Sequence, residues 1–143
     1  MTVVTATRLT NILLVDDDAV DVMNVRRAFA RNRASSTRLY VAGDGIEALA
    51  MLRGDAVPTE RRLVLLDINM PRMNGLELLR AMRADPALQP TPVVILTTSG
   101  DDRDRVEAYR LNVAGYMLKP VTAAAFFELM VALERYWNLV ELP

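Results

Sequence analysis

The chain contains neither cysteine nor histidine among its 143 residues. The absence of cysteine excludes disulfides, thiolate nucleophiles and zinc–thiolate sites, and the absence of histidine excludes imidazole bases and imidazole metal ligands. Long hydrophobic runs are also absent, since no apolar stretch approaches the roughly 20 residues that a membrane-spanning helix needs. Any chemistry must therefore use carboxylates, hydroxyls and amines, and we expect no membrane segment.

An excess of charge of one sign is missing as well. The 17 basic and 18 acidic residues are interspersed and give a net charge of −1. Direct binding of nucleic acid is not expected, because it depends on a basic patch. Residues 1–8 lack the basic start and apolar stretch of a secretory signal, which favours a cytoplasmic location.

Five short runs rich in Val, Ile and Leu alternate with segments of helical spacing. This alternation is typical of an α/β fold in which helices cover both faces of a parallel sheet. The third and fourth runs are apolar at every position, as expected for central strands. The five predicted strands are Ile12 to Val15, Arg38 to Val41, Leu63 to Leu66, Val93 to Leu96 and Gly115 to Leu118.

Capping residues mark where the helices begin. Asp44 and Asn74 are each followed three residues later by glutamate, the arrangement of a capping box. Acidic residues also precede the first and fourth helical segments, at Asp18 and from Asp101. The last helix is predicted to run from about Thr122 to Asn138.

The polar residues of interest all follow predicted strands. They are Asp16, Asp17, Asp67, Thr97 and Lys119. Because the carboxyl ends of parallel strands meet at one edge of a sheet, where ligands bind, we expect these side chains to converge. Three carboxylates in one pocket resist joint ionisation unless a cation compensates them, and an all-oxygen site suits magnesium. Taken singly, the aspartates could instead cap a helix or end a strand.

A carboxylate placed like Asp67 can attack a phosphoryl group, and a nearby cation then neutralises the phosphoryl oxygens. Lys119 could supply that positive charge and Thr97 a hydroxyl, although each alone is an ordinary residue at the end of a strand. Only their combination is specific.

The combined motifs resemble the receiver domains of bacterial response regulators, in particular the single-domain chemotaxis type. The matching segments are Asp16-Asp17 after Ile12-Leu13-Leu14-Val15, Asp67 with Asn69-Met70-Pro71 and Gly75, Thr97-Thr98-Ser99, and Tyr116 with Lys119-Pro120. The resemblance implies a doubly wound (βα)5 fold of flavodoxin-like strand order 2-1-3-4-5. It extends from about Asn11 to Asn138, so we expect residues 1–143 to form one receiver domain, with a core at about 10–138 and a tail at 139–143.

The resemblance also implies roles for the residues. Asp67 would accept a phosphoryl group from a histidine kinase. Asp17, Asp67 and the backbone carbonyl of Asn69 would bind Mg²⁺, and Asp16 would assist through water. Thr97 and Lys119 would contact the phosphoryl group. The domain would not be an enzyme for an external substrate and would catalyse only its own phosphorylation and slow dephosphorylation.

Two further expectations follow from the resemblance. Thr97 and Tyr116 would form the switch, the aromatic ring turning inward when the hydroxyl moves toward the phosphate, although Tyr116 could also be a plain half-buried aromatic residue. The peptide bond before Pro120 would be cis, which would direct Lys119 into the crevice; the alternative is that this proline simply ends the strand.

The last helix has more apolar surface than one face needs, which predicts a homodimer or partner contact. The candidates are Phe126, Phe127, Met130, Trp137 and Leu139. The alternative is that the tail folds back on its own domain. This ending, with Ala108 to Val113, is similar to receivers that accompany bacterial phytochrome histidine kinases, and it suggests such a kinase as the partner.

Three other classes of protein fit the sequence less well. A phosphatase of the haloacid dehalogenase type would need a second aspartate two positions after Asp67, where this chain has Asn69, and a longer chain. A flavodoxin-like nucleotide or flavin binder would need a glycine-rich phosphate loop after the first strand, where three aspartates stand instead. A receiver that no longer accepts phosphate is disfavoured by the complete motif set.

Overall fold

Strands and helices alternate along the chain in the computed structural model, which describes residues 9–31 and 36–143. The strands are β1 (Thr10–Val15), β2 (Thr37–Ala42), β3 (Arg62–Leu66), β4 (Val93–Thr97) and β5 (Gly115–Leu118). The helices are α1 (Ala19–Arg31), α2 (Gly45–Arg53), α3 (Gly75–Ala84), α4 (Asp102–Arg110) and α5 (Ala123–Leu139). All neighbouring strands are parallel, in the order β2-β1-β3-β4-β5. The expected fold and strand order are confirmed.

The central strands β1, β3 and β4 are buried along their whole length. Because successive side chains of a strand point to opposite faces, Leu13 and Val64 pack against α2, α3 and α4, whereas Ile12 and Leu65 pack against α1 and α5. Two apolar layers therefore cover the sheet, as the unbroken apolar runs predict.

The predicted caps are present at the helix starts. The Asp44 carboxylate accepts a hydrogen bond from the Glu47 backbone N–H at 2.9 Å. Asn74 and Glu77 form a complete capping box at α3. At α2 the reciprocal bond differs, because the Glu47 carboxylate accepts from the N–H of Gly43.

Three residues predicted at a dimer contact lie in the core instead. Phe126, Met130 and Trp137 are buried on the α1–α5 side of the sheet. The rings of Trp137 and Phe29 form a T-shaped pair with centroids 5.5 Å apart, and the Trp137 indole N–H donates to the Thr37 hydroxyl at 3.3 Å. For these three residues the prediction is wrong, because α5 directs them toward α1 and the sheet.

The other two candidates remain at the surface. Phe127 is half-buried, and the guanidinium of Arg31 lies 5.4 Å from the centre of its ring. Leu139 is 86% exposed.

The tail folds back on its own domain, which was the alternative expectation. The side chains of Val140 and Leu142 pack against the apolar layer beneath α5. Arg61 holds this end of the chain: its guanidinium donates to the Trp137 carbonyl at 2.9 Å and its backbone N–H donates to the Pro143 carbonyl at 3.0 Å. The tail thus covers part of the apolar layer on this side of the sheet, while Leu139 and Tyr136 of α5 stay exposed.

The prediction of a cis bond before Pro120 is wrong. No peptide bond in the described residues is cis. A trans bond before proline is favoured by about 0.5–1 kcal/mol, and Lys119 reaches the acidic residues with that bond trans.

Among the helices of the described ranges, none is long and apolar enough to cross a membrane.

Candidate functional site

The strand register brings the predicted polar residues to one edge of the sheet. Val15 of β1 pairs with Leu66 of β3, so that Asp16 and Asp67 emerge side by side. Carboxylate oxygens of Asp16, Asp17 and Asp67 all lie within 4.8 Å of one another. Residues separated by about 50 positions therefore form one acidic cluster, as expected.

The ammonium group of Lys119 lies among these carboxylates. Its Nζ is 2.9 Å from Asp16 Oδ2, 3.1 Å from Asp67 Oδ2 and 2.7 Å from Asp21 Oδ2. The Lys119 side chain is only 6% exposed, so these ion pairs are shielded from water. The pairing with Asp21 was not predicted. Its position in the first turn of α1, at the same edge as Asp16, is the signal that could have revealed it.

Negative charge exceeds positive charge in this cluster. The ammonium group of Lys119 contacts three carboxylates, those of Asp16, Asp21 and Asp67, and a fourth, that of Asp17, lies beside Asp16 and Asp67. Burial raises the pKa of Asp16 to about 6, although hydrogen bonds from Lys119 and the Asp18 backbone partly oppose this rise. Burial lowers the pKa of Lys119, but its hydrogen bonds to Asp21 and Asp16 outweigh that effect and raise it. An additional cation would relieve the excess negative charge.

A divalent cation fits the donors that the cluster offers. Asp17 is exposed at the mouth of the cluster, whereas Asp16 and Asp67 are buried behind it. The Asn69 backbone N–H lies 3.4 Å from Asp67 Oδ1, which keeps the loop after β3 close to the carboxylates. The ligand atoms that the three aspartates offer a metal ion are carboxylate oxygens, which suits a hard ion such as Mg²⁺.

Asp18 has a different role from its two acidic neighbours. Its carboxylate accepts hydrogen bonds from the backbone N–H groups of Val20, at 2.8 Å, and Asp21. The capping interpretation is therefore correct for Asp18, while Asp16 and Asp17 belong to the acidic cluster.

Gly75 permits a close contact behind Asp67. A Cβ atom at this position would lie 2.2 Å from the carbonyl oxygen of Asp67 and 2.8 Å from Cα of Ile68. The Gly75 backbone N–H donates to the Ile68 carbonyl at 2.9 Å. The start of α3 is thus packed directly against the end of β3 and fixes the backbone that carries Asp67.

Thr97 and Tyr116 both contact Ser99. Thr97 is fully buried, and its hydroxyl accepts a hydrogen bond from the Ser99 backbone N–H at 3.2 Å. The hydroxyl of the half-buried Tyr116 donates to the Ser99 carbonyl at 2.9 Å. The Lys119 backbone N–H donates to the Thr97 carbonyl at 2.8 Å. The ends of β4 and β5 are therefore connected beside the acidic cluster.

Known proteins of one family are similar to this chain in sequence and in structure. The family model described as the response regulator receiver domain matches residues 12–131. The response regulator Rcp1 of Synechocystis is 33% identical over 136 residues, which cover 92% of this chain and 92% of that protein.

Two solved structures are similar over nearly the whole chain. The phosphorylated cyanobacterial phytochrome response regulator RcpA has a TM-score of 0.86 and 32% identity, covering 95% of this chain and 99% of that one. The Mn(2+)-bound form of Rcp1 has a TM-score of 0.83 and 31% identity, with 94% and 99% covered. The matched family segment includes every candidate residue from Asp16 to Lys119.

Proposed function

Because this chain belongs to the response regulator receiver domain family, we propose that it is a phosphoacceptor switch in which Asp67 receives the phosphoryl group of a histidine kinase. The observation that carries this proposal is the placement of the Asp67 carboxylate within the acidic cluster and 3.1 Å from Lys119 Nζ. Neither a plain turn nor a helix cap accounts for that arrangement.

In the proposed reaction a carboxylate oxygen of Asp67 attacks the phosphorus of the kinase phosphohistidine. The new P–O bond forms an acyl phosphate, and the broken P–N bond leaves its electron pair on the kinase imidazole. Lys119 and the Thr97 hydroxyl would hold the phosphoryl oxygens. Asp16, Asp17, Asp67 and the Asn69 carbonyl would hold Mg²⁺, which when bound neutralises charge on those oxygens. Beyond this phosphotransfer the domain would catalyse only the slow dephosphorylation of its own Asp67 and no reaction of an external substrate.

The hydrogen bonds to Ser99 support a switch through Thr97 and Tyr116. If the Thr97 hydroxyl turns toward the phosphoryl group, it releases the Ser99 backbone N–H. The Ser99 carbonyl, which now accepts from Tyr116, shifts with that backbone. The Tyr116 ring is then free to move, and the surface around β5 changes with it.

The similar proteins favour a histidine kinase of light signalling as the partner of this chain. Both RcpA and the regulator Rcp1 resemble this chain over more than 90% of their length, and the first is a phytochrome response regulator. We infer that the cognate donor is a histidine kinase of the bacteriophytochrome type acting in the cytoplasm. Phosphotransfer from a purified phytochrome kinase should be faster than from a chemotaxis kinase, and the reverse order would contradict this assignment.

A homodimer through α5 could use only the candidate residues that are not buried in the core. Of the candidates, Leu139 is the exposed one, and it follows the half-exposed Tyr136 on the last turn of α5. We expect wild type to sediment as a dimer at micromolar concentration and Leu139→Asp to shift it toward monomer. A monomeric wild type would exclude the dimer.

The phosphoacceptor is tested by Mg²⁺-dependent labelling from a small phosphodonor. Wild type should incorporate phosphate and Asp67→Asn should not. Asp18→Asn is the matched control, because it removes a neighbouring carboxylate that caps α1 and lies outside the acidic cluster. Equal labelling of wild type and Asp67→Asn would eliminate Asp67 as the acceptor.

A further inference from the structure

Two loops contact each other at the carboxyl edge of the sheet, beside the acidic cluster. One is the turn between β2 and α2, which contains Asp44 and leads into Gly45 at the start of α2; the other is the loop between β3 and α3, which runs from Asp67 to Asn74. The guanidinium of Arg72 donates to Asp44 Oδ2 through Nε at 2.9 Å and also through Nη2. The Asp44 side chain is only 9% exposed, so this ion pair is partly shielded from solvent although Arg72 is 61% exposed.

A second contact joins the same loops through the backbone. The Gly45 N–H donates to the Met73 carbonyl at 3.1 Å. A Cβ atom on Gly45 would lie 2.8 Å from that carbonyl oxygen and 2.7 Å from Met73 Cγ. The two loops are therefore in such close contact that only glycine fits, independently of the ion pair.

Arg72 itself has an unusual backbone conformation. Its φ angle is 63°, in the left-handed region that favours glycine. A residue with a side chain keeps this conformation only where its surroundings hold it. Here Asp44 holds the side chain, and Gly45 holds the carbonyl of the next residue.

The held segment belongs to the same loop as Asn69. Asp67 is fixed at one end of this loop by β3 and by the contact with Gly75, and Arg72 is fixed near the other end by Asp44. We propose that Asp44 and Arg72 are positioning residues for the Mg²⁺ site, holding the loop that carries the Asn69 carbonyl ligand. This inference rests on the proposed function, in which that carbonyl binds the ion.

The sign of the change in Mg²⁺ affinity when Arg72 is replaced distinguishes a positioning role from a purely electrostatic one. If the two residues acted only through their charges, removing the positive charge of Arg72 would strengthen Mg²⁺ binding, and removing the negative charge of Asp44 would weaken it. If they position the loop, both changes weaken binding. Residues that orient metal ligands typically contribute about 10- to 100-fold in affinity, and for this partly exposed pair we expect a smaller effect of about three- to ten-fold.

The test is calorimetric titration of the whole chain with Mg²⁺. The variants are Asp44→Asn, which keeps a good helix cap, Arg72→Met, Arg72→Lys, which keeps the charge but not the planar fork, and the double variant Asp44→Asn/Arg72→Met. We expect each single variant to bind more weakly and the double variant to be no weaker than either single change to Asn or Met. Asp101→Asn, at the N-cap of α4, is the control and should bind like wild type.

Unchanged or tighter Mg²⁺ binding by Arg72→Met and unchanged binding by Arg72→Lys would overturn the inference. Labelling of Asp67 in wild type separates this failure from that of the proposed function. If wild type is labelled and binds Mg²⁺ while both Arg72 variants match it, only the positioning role fails. If wild type neither binds Mg²⁺ nor is labelled, the proposed function fails and the inference with it.

Discussion

The two edges of the sheet contain buried or half-buried basic side chains with very different partners. At the carboxyl edge, Lys119 is paired with Asp16, Asp21 and Asp67. At the amino edge, Arg61 donates to backbone carbonyls near the end of α5, and Arg62 donates to carbonyls that include Leu52 at the end of α2.

The basic residues of the amino edge serve the stability of the fold, whereas the carboxyl edge is suited to chemistry. Carbonyls at helix carboxyl ends carry partial negative charge, so the hydrogen bonds from the amino-edge arginines help to hold the ends of α5 and α2 in place. The carboxyl edge keeps unneutralised carboxylates, which lowers stability but leaves an affinity for cations. Functional sites commonly carry such a cost. We therefore expect substitutions at the amino edge to change stability alone and those at the carboxyl edge to change function.

The largest expected effect is at the amino edge, for Trp137→Ala. Removal of this buried side chain should lower the free energy of unfolding by about 3–5 kcal/mol, because it leaves a cavity beside Phe29. Urea denaturation measures the change. The neighbouring Tyr136 is 51% exposed, so Tyr136→Ala should cost less than about 1 kcal/mol. Labelling of Asp67 in folded Trp137→Ala should equal that of wild type, and a selective loss would break the separation between the edges.

Gly75→Ala is expected to affect both properties at the carboxyl edge. The added methyl group would overlap the backbone of Asp67 and Ile68, which should cost about 1–3 kcal/mol and weaken Mg²⁺ binding. Denaturation and calorimetry give the two values. Gly100→Ala, where a Cβ would meet nothing within 4 Å, should show neither change. Wild-type Mg²⁺ affinity in Gly75→Ala would show that the α3 contact does not position Asp67.

At the amino edge, Arg61→Met should loosen the tail. The substitution removes the guanidinium hydrogen bonds to the Val140 and Trp137 carbonyls and the Thr10 hydroxyl, at an expected cost of about 1–2 kcal/mol, and keeps the backbone bond to Pro143. Carboxypeptidase should then digest residues 140–143 faster. The control Arg103→Met alters a guanidinium whose side chain is 95% exposed and should change neither quantity. A tail that stays resistant in Arg61→Met would show that the Arg61 guanidinium is not needed to hold it.

The smallest expected effect has the opposite sign. Without Mg²⁺, Asp67→Asn should raise the free energy of unfolding by about 0.5–2 kcal/mol, because it removes one of the competing carboxylates. Lys119 keeps Asp16 and Asp21 as partners. Comparison of denaturation curves in the absence of divalent ions measures this gain. A destabilised variant would mean that the Lys119–Asp67 pair outweighs the repulsion in the cluster.

Local patterns predicted most of the elements. Each predicted strand differs from the observed one by at most two residues, and β5 is identical, because short apolar runs and strand-end polar residues are local signals. The cap of Asp44 and the capping box of Asn74 were likewise predictable, since both partners lie within three residues. The convergence of Asp16, Asp17 and Asp67 followed from parallel topology alone.

Contacts between distant segments were not predictable in the same way. The helical spacing of α5 revealed an apolar surface, but the packing against α1 and the sheet decided that Phe126, Met130 and Trp137 lie inside the domain. The partner of Lys119 on α1 and the contact of Asp44 with Arg72 join residues 98 and 28 positions apart. No local pattern encodes such pairs.

The sequence by itself determined the alternation of strands and helices, the helix caps and the set of strand-end residues at the acidic edge. Each depends on the chemistry of a few adjacent residues or on the rule that parallel strands end together. Only the tertiary structure decided the orientation of α5, the course of the tail along Arg61 and the contact of Asp44 with Arg72 on the loop that contains Asn69. These features depend on which surfaces pack together, because burial and hydrogen bonding between distant segments are settled by the whole fold.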